Sequence, residues 1–458
     1  MNGRMSEVVA ATAGRLAGVD AAFAGVSIDS RTLKPGELFF ALRGERFDGH
    51  AFVTAAAARG AAGAVVEKAG ECPIPRVVVK DSGAALAALA RAWRERSGAT
   101  VIGVGGSNGK TTTKELLASI LAAAGQTLAT RGNLNNHLGV PLTLLRLEPG
   151  HRFAVIEIGA NHPGEITALA AIARPAIALV TNAGDEHLEG FGDLAGVARA
   201  EGEMFAALPA AGVAVINADD RFHEMWRHMA RGARQLHFGI ESAAELRATG
   251  LQGRIESGAF VTVFTLVIDA EQARVRLNLA GRHNVMNALA AAAAAHAAGV
   301  SLALIVAGLE RVSPVTGRLQ LKAGPRGSWL IDDSYNANPS SVRAGIDVLC
   351  ALPGEHWLVL GEMAELGTHT ESSHTGIGDY ARSAGVTRLF AIGAAARLAA
   401  AAFGSRGTWF EDAGRLADAV AAGLDSGVTV LIKGSRINRL ERVVELLMQP
   451  LAAAGNGN

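Results

Sequence analysis

The segment GVGGSNGKTTTKE, Gly103 to Glu115, has the residue types and spacing to hold a nucleoside triphosphate. It follows an apolar run of strand length and precedes a helical pattern, the context in which such a loop works. Glycines at 103, 106 and 109 let backbone amides approach phosphate oxygens, and the helix that follows places the positive end of its dipole there. Lys110 adds a cation, and Thr111 a hydroxyl that can ligate Mg²⁺. The common G-x-x-x-x-G-K form would put glycine at 104, where this chain has Val104, so the loop is a variant of that design. Two more loops carry candidate chemistry. Glu157 ends the apolar run RFAVIEIG, and ligands of open α/β sheets gather at the carboxyl ends of strands, where a carboxylate can hold Mg²⁺. TNAGDEHLEGFG, after another such run, brings Asn182 and His187 to the same rim, the histidine as a ligand or transition-state contact.

The elements that must position these residues are legible as rhythm. From Thr100, apolar runs (TVIGVGG, RFAVIEIG, AIALVTN, GVAVINAD) alternate with longer helical stretches, the signature of a parallel sheet covered by helices. A polar stretch of period two, residues 248–281, predicts antiparallel strands at the edge, and Ala-rich helices from Asn284 close the unit. After SPVTGR a second alternating series, SWLIDDS, HWLVLGE, TRLFAIG and TVLIKGS, predicts a doubly wound third unit. Ahead of Thr100, GVSIDSR, ELFFALRG and GAVVE are strand candidates of a smaller mixed unit ending in the charged helix RAWRERSG. The expected fold is α/β with three domains: 1–98, a small mixed unit; 99–313, a P-loop unit with a mainly parallel sheet; and 314–458, doubly wound and Rossmann-like.

Composition agrees. A chain of 458 residues exceeds one ordinary core, and 49% hydrophobic against 19% charged residues fits several packed cores, with disorder expected only in the AAAGNGN tail. Lys plus Arg equals Asp plus Glu at 43 each, so no global field favours nucleic acid or an anionic membrane. Two distant cysteines, Cys72 and Cys350, give neither metal spacing nor a disulfide framework, and the N-terminus lacks a signal-peptide core; a cytoplasmic protein is expected. The uncharged run Ala288 to Leu309 is interrupted by His296, Gly299 and Ser301 and predicts two soluble helices with a Gly stop and a Ser cap, not a membrane span.

The G-x-x-G-S-N-G-K-T-T loop, strand-end Glu157 and the His187 loop together resemble the Mur ligase family. GVSIDSRTLKPGELFFALRGERFDGHAF resembles its uridine-nucleotide segment, and AGRHNVMNALAAAAAA its adenine-side motif with Asn284 and Asn287. IDDSYNANPSS, LGEMAELG with His374, and LIKGSR resemble one branch, the ligase that adds D-alanyl-D-alanine to a UDP-linked muramoyl tripeptide. Landmarks span about nine tenths of the chain by this reading.

The resemblance implies an ADP-forming amide ligase using ATP and Mg²⁺ through an acyl phosphate, with UDP-N-acetylmuramoyl-tripeptide and D-alanyl-D-alanine as substrates, acting as a monomer. It implies Lys110, His187 and Glu157 as catalytic. Gly106, Ser107, Asn108, Gly109, Lys110, Thr111, Thr112, Asn284, Asn287, Arg318 and Asp333 would bind ATP, Asp333 toward the ribose. Thr111, Glu157, His187 and Glu201 would hold metal. Ser30, Arg31, Glu45, Arg46, Phe47, Asp48, Asn133, Asn135 and Asn136 would bind the UDP-substrate. Related ligases carry a carbamylated lysine where this chain has Glu201 in VARAEGEMF; glutamate supplies the same charge with a shorter reach. The alternatives are the third-residue-adding ligase or a folylpolyglutamate synthase-like ligase and, outside enzymes, a P-loop nucleotide switch.

Overall fold

Three sheets with covering helices follow one another along the chain in a computed structural model that describes residues 1–44, 47–68, 70 and 73–448. In the first, Arg15–Ala17, Arg76–Val78, Gly63–Val66, Leu38–Phe40 and Val26–Ser27 lie side by side. All neighbours are parallel except the antiparallel edge pair of Arg15–Ala17 with Arg76–Val78. The run Leu38-Phe39-Phe40 is buried throughout because both faces are covered: Leu38 and Phe40 pack with Met5, Val8 and Leu86, and Phe39 with Leu33, Val53 and Ala56. A short ribbon, Asn2–Arg4 with Ala22–Ala24, was not foreseen, since three-residue strands carry too little periodicity to read.

The central sheet has nine strands, in spatial order Glu271–Leu277, Ala259–Ile268, Leu246–Glu256, Arg234–Gly239, Val213–Asn217, Ile177–Val180, Thr100–Gly105, Phe153–Glu157 and Thr127–Ala129. Its first two pairings are antiparallel and the rest parallel, as the change from period-two to continuous apolar runs predicts. Alternate residues serve opposite layers: Ile102 and Val104 face Leu117, Ile120 and the alanines of Arg282–Ala297, while Val101, Ala154 and Ile156 face the other side. Ala288 to Ala295 are completely buried, and Gly308 of Leu302–Arg311 sits where a Cβ would come within 2.4 Å of the Ile120 Cα. Small residues thus press two helices against Lys110–Ala122. Gly299, at φ 80°, separates them; Ser301 stands at the N-cap but makes no side-chain capping bond, so the expected Ser cap is positional only.

The third sheet runs Gln320–Ala323, Trp329–Asp333, Val428–Lys433, Glu355–Gly361, Arg388–Ile392 and Gly407–Phe410, parallel except for its first strand. Ile331 and Leu431 fill one face, Leu330, Val430 and Ile432 the other. Cys350 is a free, half-buried thiol; Cys72 lies outside the described residues. Among the described residues no helix is long and apolar enough to cross a membrane.

Candidate active site

Thr100–Gly105 lies between Ile177–Val180 and Phe153–Glu157, where the chain's crossovers part in opposite directions, and the loop leaving it opens into the crevice such a switch point creates. Gly106 (φ 111°) and Gly109 (φ 85°) hold conformations that L side chains rarely adopt, and neither has room for one. A Cβ on Gly106 would lie 2.1 Å from Thr181 Oγ1, and one on Gly109 2.2 Å from Asn287 Oδ1. Neighbouring side chains tie the loop down. Asn108 N–H donates to Asn182 Oδ1 (3.1 Å), Asn182 Nδ2 to the Asn108 carbonyl (2.9 Å), and the Gly184 N–H to Ser107 Oγ (2.8 Å). Behind it, Asn287 Nδ2 donates to Asn284 Oδ1 (3.0 Å) and Asn284 Nδ2 to the Ala280 carbonyl (2.8 Å), so these two asparagines prop the glycine-rich turn from below.

Lys110 folds back over this loop, donating to the carbonyls of Gly106 and Ser107 (3.1 Å) and to Glu186 Oε1 (3.0 Å). Burial works against its charge, but Glu186, Glu201 and Glu157 outweigh that and hold its pKa above the ordinary value. Glu186, beside His187, had no sequence signal of its own; only the fold brings it to Lys110. Glu157, 1% exposed, accepts from Asn135 Nδ2 (2.9 Å) and Thr111 Oγ1 (3.4 Å) through Oε1, while its buried Oε2 has no hydrogen-bond partner. A buried carboxylate with one oxygen facing a threonine hydroxyl, and the other 3.7 Å from Lys114 Nζ, offers a hard cation an anionic ligand.

Glu201 lies under the loop: its Oε2 accepts the Gly106 N–H at 2.6 Å. Desolvation there, opposed by Lys110 and reinforced by Glu186, pushes its pKa up to about 7. His187, at φ 49°, pairs through Nδ1 with Glu365 of the third unit. Among the described residues no three His, Cys, Asp or Glu side chains converge as a metal cage would, so Thr111 and Glu157 are adjacent while His187 and Glu201 do not complete a cluster around them.

The third unit closes on the P-loop. Arg318 donates to Thr111 Oγ1 (3.2 Å) and stacks over Tyr335 at 4.5 Å. Asn338 Nδ2 donates to Asn108 Oδ1 (2.8 Å) and Asn108 Nδ2 to Ser340 Oγ (2.9 Å). Asn338 is also the N-cap of Pro339–Cys350. Asp333 is engaged within the protein: Oδ2 binds Lys433 Nζ (2.6 Å) and Oδ1 accepts the Leu319 N–H (3.2 Å). His374, fully buried, accepts the Met363 N–H at Nε2 (3.0 Å) and donates from Nδ1 to the Thr370 carbonyl (2.7 Å), which anchors the turn carrying Glu365.

These walls enclose a cleft of about 2160 Å³ reached by all three units. From the first unit come Arg43, Phe47 and Lys80, with the start of the helix Ser82–Glu95. Asn133, Asn135 and Asn136 line it too, whereas Ser30, Arg31 and Asp48 do not. Arg31 is instead bound to Asp29 (2.8 Å), whose carboxyl is held at about 2. Glu45 and Arg46 lie outside the described residues. Arg43 and Lys80 were missed because isolated basic residues carry no spacing signal.

His283 lines the cleft next to Asn284, and burial, with Lys433 nearby, lowers its pKa to about 4. An unfolded histidine protonates near 6.5, so above that pH this group contributes nothing. As pH falls from 6.5 to 4 only the unfolded state gains the proton, and stability drops. His283→Asn is therefore expected to gain on wild type by roughly 2 to 3 kcal/mol between pH 7 and pH 4.5 in urea unfolding. An identical gap at both pH values would count against a neutral His283.

A P-loop on a parallel sheet, with a doubly wound unit closing over it and a cleft shared by three units, defines a nucleotide-using enzyme of three domains. Family models match in the same order: "Mur ligase family, catalytic domain" over residues 22–94, "Mur ligase middle domain" over 104–295 and "Mur ligase, glutamate ligase domain" over 317–436. The UDP-N-acetylmuramoyl-tripeptide--D-alanyl-D-alanine ligase of Escherichia coli K12 is 42% identical over 438 residues, 95% of this chain and 96% of that one. Crystal structure I of MurF from Acinetobacter baumannii superposes with a TM-score of 0.93 at 35% identity, covering 98% of this chain and 99% of that one. MurF of Thermotoga maritima in complex with ADP gives 0.81 at 27%, covering 93% and 97%. The chain belongs to the Mur ligase family.

Proposed function

We propose that this chain is an ATP-dependent, ADP-forming ligase that adds D-alanyl-D-alanine to UDP-N-acetylmuramoyl-tripeptide, giving the UDP-muramoyl-pentapeptide precursor of peptidoglycan. The observation that carries the reading is the meeting of Lys110, Glu157, Arg318 and the asparagines 133, 135 and 136 in one cleft, in a chain 42% identical to a ligase of that name. We divide it into a UDP-substrate domain (1–98), an ATP domain (99–313) and a closing domain (314–458). We take it to act as a monomer in the cytoplasm, where ATP is supplied.

The amide is built in two displacements. The tripeptide's terminal carboxylate oxygen attacks the γ-phosphorus; its bond to the bridging oxygen breaks, ADP leaves, and an acyl phosphate remains. The neutral amine of the dipeptide then attacks the acyl carbon, the carbon–oxygen bond to phosphate breaks, and the nitrogen's proton passes to solvent. The chain's part is placement and charge. P-loop amides and Lys110 hold the β- and γ-phosphates, Asn284 and Asn287 support the turn beneath, and Arg318 approaches from the third domain so that closure excludes water. Asp333, held by Lys433, presents the ribose contact. Lys80 and the helix start at Ser82, with Arg43 once it leaves Glu67, would seat the UDP diphosphate on the first domain. Thr111 and Glu157 would hold Mg²⁺, which neutralises charge on the transferring phosphoryl group.

A second ion would draw on His187 and Glu201, the latter in place of a lysine carbamate, once they release the partners they hold here, Glu365 and the Gly106 N–H. Activity is then expected to be independent of added bicarbonate, and Glu201→Gln to raise the Mg²⁺ requirement; Glu201→Lys should make activity bicarbonate-dependent. An unchanged magnesium profile in the Gln variant would remove Glu201 from the metal site. The function itself is tested by ADP release measured with UDP-tripeptide, with and without D-alanyl-D-alanine. Release stoichiometric with amide formation, absent with a UDP-dipeptide plus diaminopimelate or lysine, is expected. Nucleotide binding without coupled amide formation would favour a switch.

A further inference from the structure

Lys114 stands one helical turn beyond Lys110 on the P-loop helix, does not line the cleft, and takes part in no step above. Its side chain is completely buried. An ammonium removed from water is costly unless it is paired and hydrogen-bonded, and a buried ion pair adds little net stability over an apolar residue of similar size. The partners of this one are therefore informative. Nζ donates to the carbonyls of Thr130 (2.9 Å) and Gly132 (3.2 Å), pairs with Glu115 Oε1 (2.9 Å), and stands 3.7 Å from Glu157 Oε2, the oxygen with no hydrogen-bond partner. Thr130 also holds Glu157 from behind, its Oγ1 accepting the Glu157 N–H at 3.0 Å. Beyond Gly132 the chain presents Asn133, Asn135 and Asn136 to the cleft, and Asn135 bonds back to Glu157 Oε1 at 2.9 Å.

We propose that Lys114 is a positioning residue that couples the nucleotide half of the cleft to the acceptor half: one buried ammonium fastens the P-loop helix, the Glu157 carboxylate and the asparagine-bearing loop together. Because the ammonium has no access to water and its bond to the Thr130 carbonyl is buried, the loop cannot move relative to the P-loop helix without stranding that charge and that carbonyl. The acceptor side is thereby set by the same element that holds the phosphates. This rests on the ligase reading above.

The test is equilibrium titration of the full chain with UDP-N-acetylmuramoyl-tripeptide and, separately, with ADP in the absence of Mg²⁺, for wild type, Lys114→Met and Lys114→Gln, with circular dichroism and thermal melting as the check on folding. Lys114→Met is expected to weaken the UDP-tripeptide about tenfold or more while ADP affinity stays within about threefold, the split that local loss of loop placement produces and a general structural defect does not. Lys114→Gln, whose amide can still donate to a carbonyl, should recover part of the acceptor affinity. Acceptor affinity within about twofold of wild type in folded Lys114→Met overturns the coupling, as does an equal loss for both ligands. If neither variant folds, Lys114 serves the fold alone and the proposal is overturned. Wild type that binds none of the UDP-tripeptide refutes the ligase reading and the coupling with it, an outcome distinct from wild-type binding that Lys114→Met leaves intact.

Discussion

Lys110→Ala is expected to lower ligation about a thousandfold and leave the chain folded, the scale of removing a preorganised charge from a transferring phosphoryl group. The ammonium belongs to the cleft and not to a core. Its partners are two carbonyls of its own loop and Glu186, and Ser107 and Glu186 both line the cleft, where water can replace the lost donor. With its pKa held above the ordinary lysine value, Lys110 is charged throughout any workable assay range, so the loss is independent of pH. Glu186 holds Lys110 in the structure, and on the proposed reading the γ-phosphate takes its place. Coupled ADP release and thermal melting measured together check this; turnover within a few-fold of wild type would sink the phosphate-cradle assignment.

Glu157→Gln is expected to cost on the order of a hundred- to a thousandfold in kcat and to raise the Mg²⁺ concentration needed for half-maximal rate. The amide keeps the size of the side chain and one oxygen for Asn135, but removes the anion that faces Thr111 on one side and Lys114 on the other. Among the described residues Lys114 then retains Glu115 alone as a carboxylate partner. A drop in stability of about 1 to 3 kcal/mol should accompany the kinetic effect, the cost of leaving a buried charged group short of a partner. A folded variant with an unaltered magnesium profile would mean that Glu157 orders the asparagine loop and holds no ion.

Much of this protein was determined by local sequence. The glycines at 106 and 109 and the strand-to-helix context of the P-loop are short-range properties, since backbone conformation and helix dipole act within a few residues. The change from continuous apolar runs to period-two alternation over residues 248–281 likewise marks where the central sheet passes from parallel to antiparallel, because one pattern is buried on both faces and the other on one. Glu157 could be singled out by its place at the end of a strand, whereas Asn284 and Asn287 were legible only through the family resemblance of their motif; the structure brings all three to the loop.

The tertiary structure decided which charges meet. Lys110 with Glu186 spans 76 residues, Asp333 with Lys433 spans 100, and Asn108 with Ser340 spans 232, separations at which no periodicity carries information. The same holds for Arg43 and Lys80, which enter the cleft wall while Arg31, in the more recognisable segment, turns to Asp29. Lys114 is the clearest case: in GKTTTKE it is one more polar residue near a helix start, where a solvated lysine would be expected. The packing of Thr127–Ala129 and Phe153–Glu157 alongside that helix helps remove it from water, and a charge without water must find its partners in the fold.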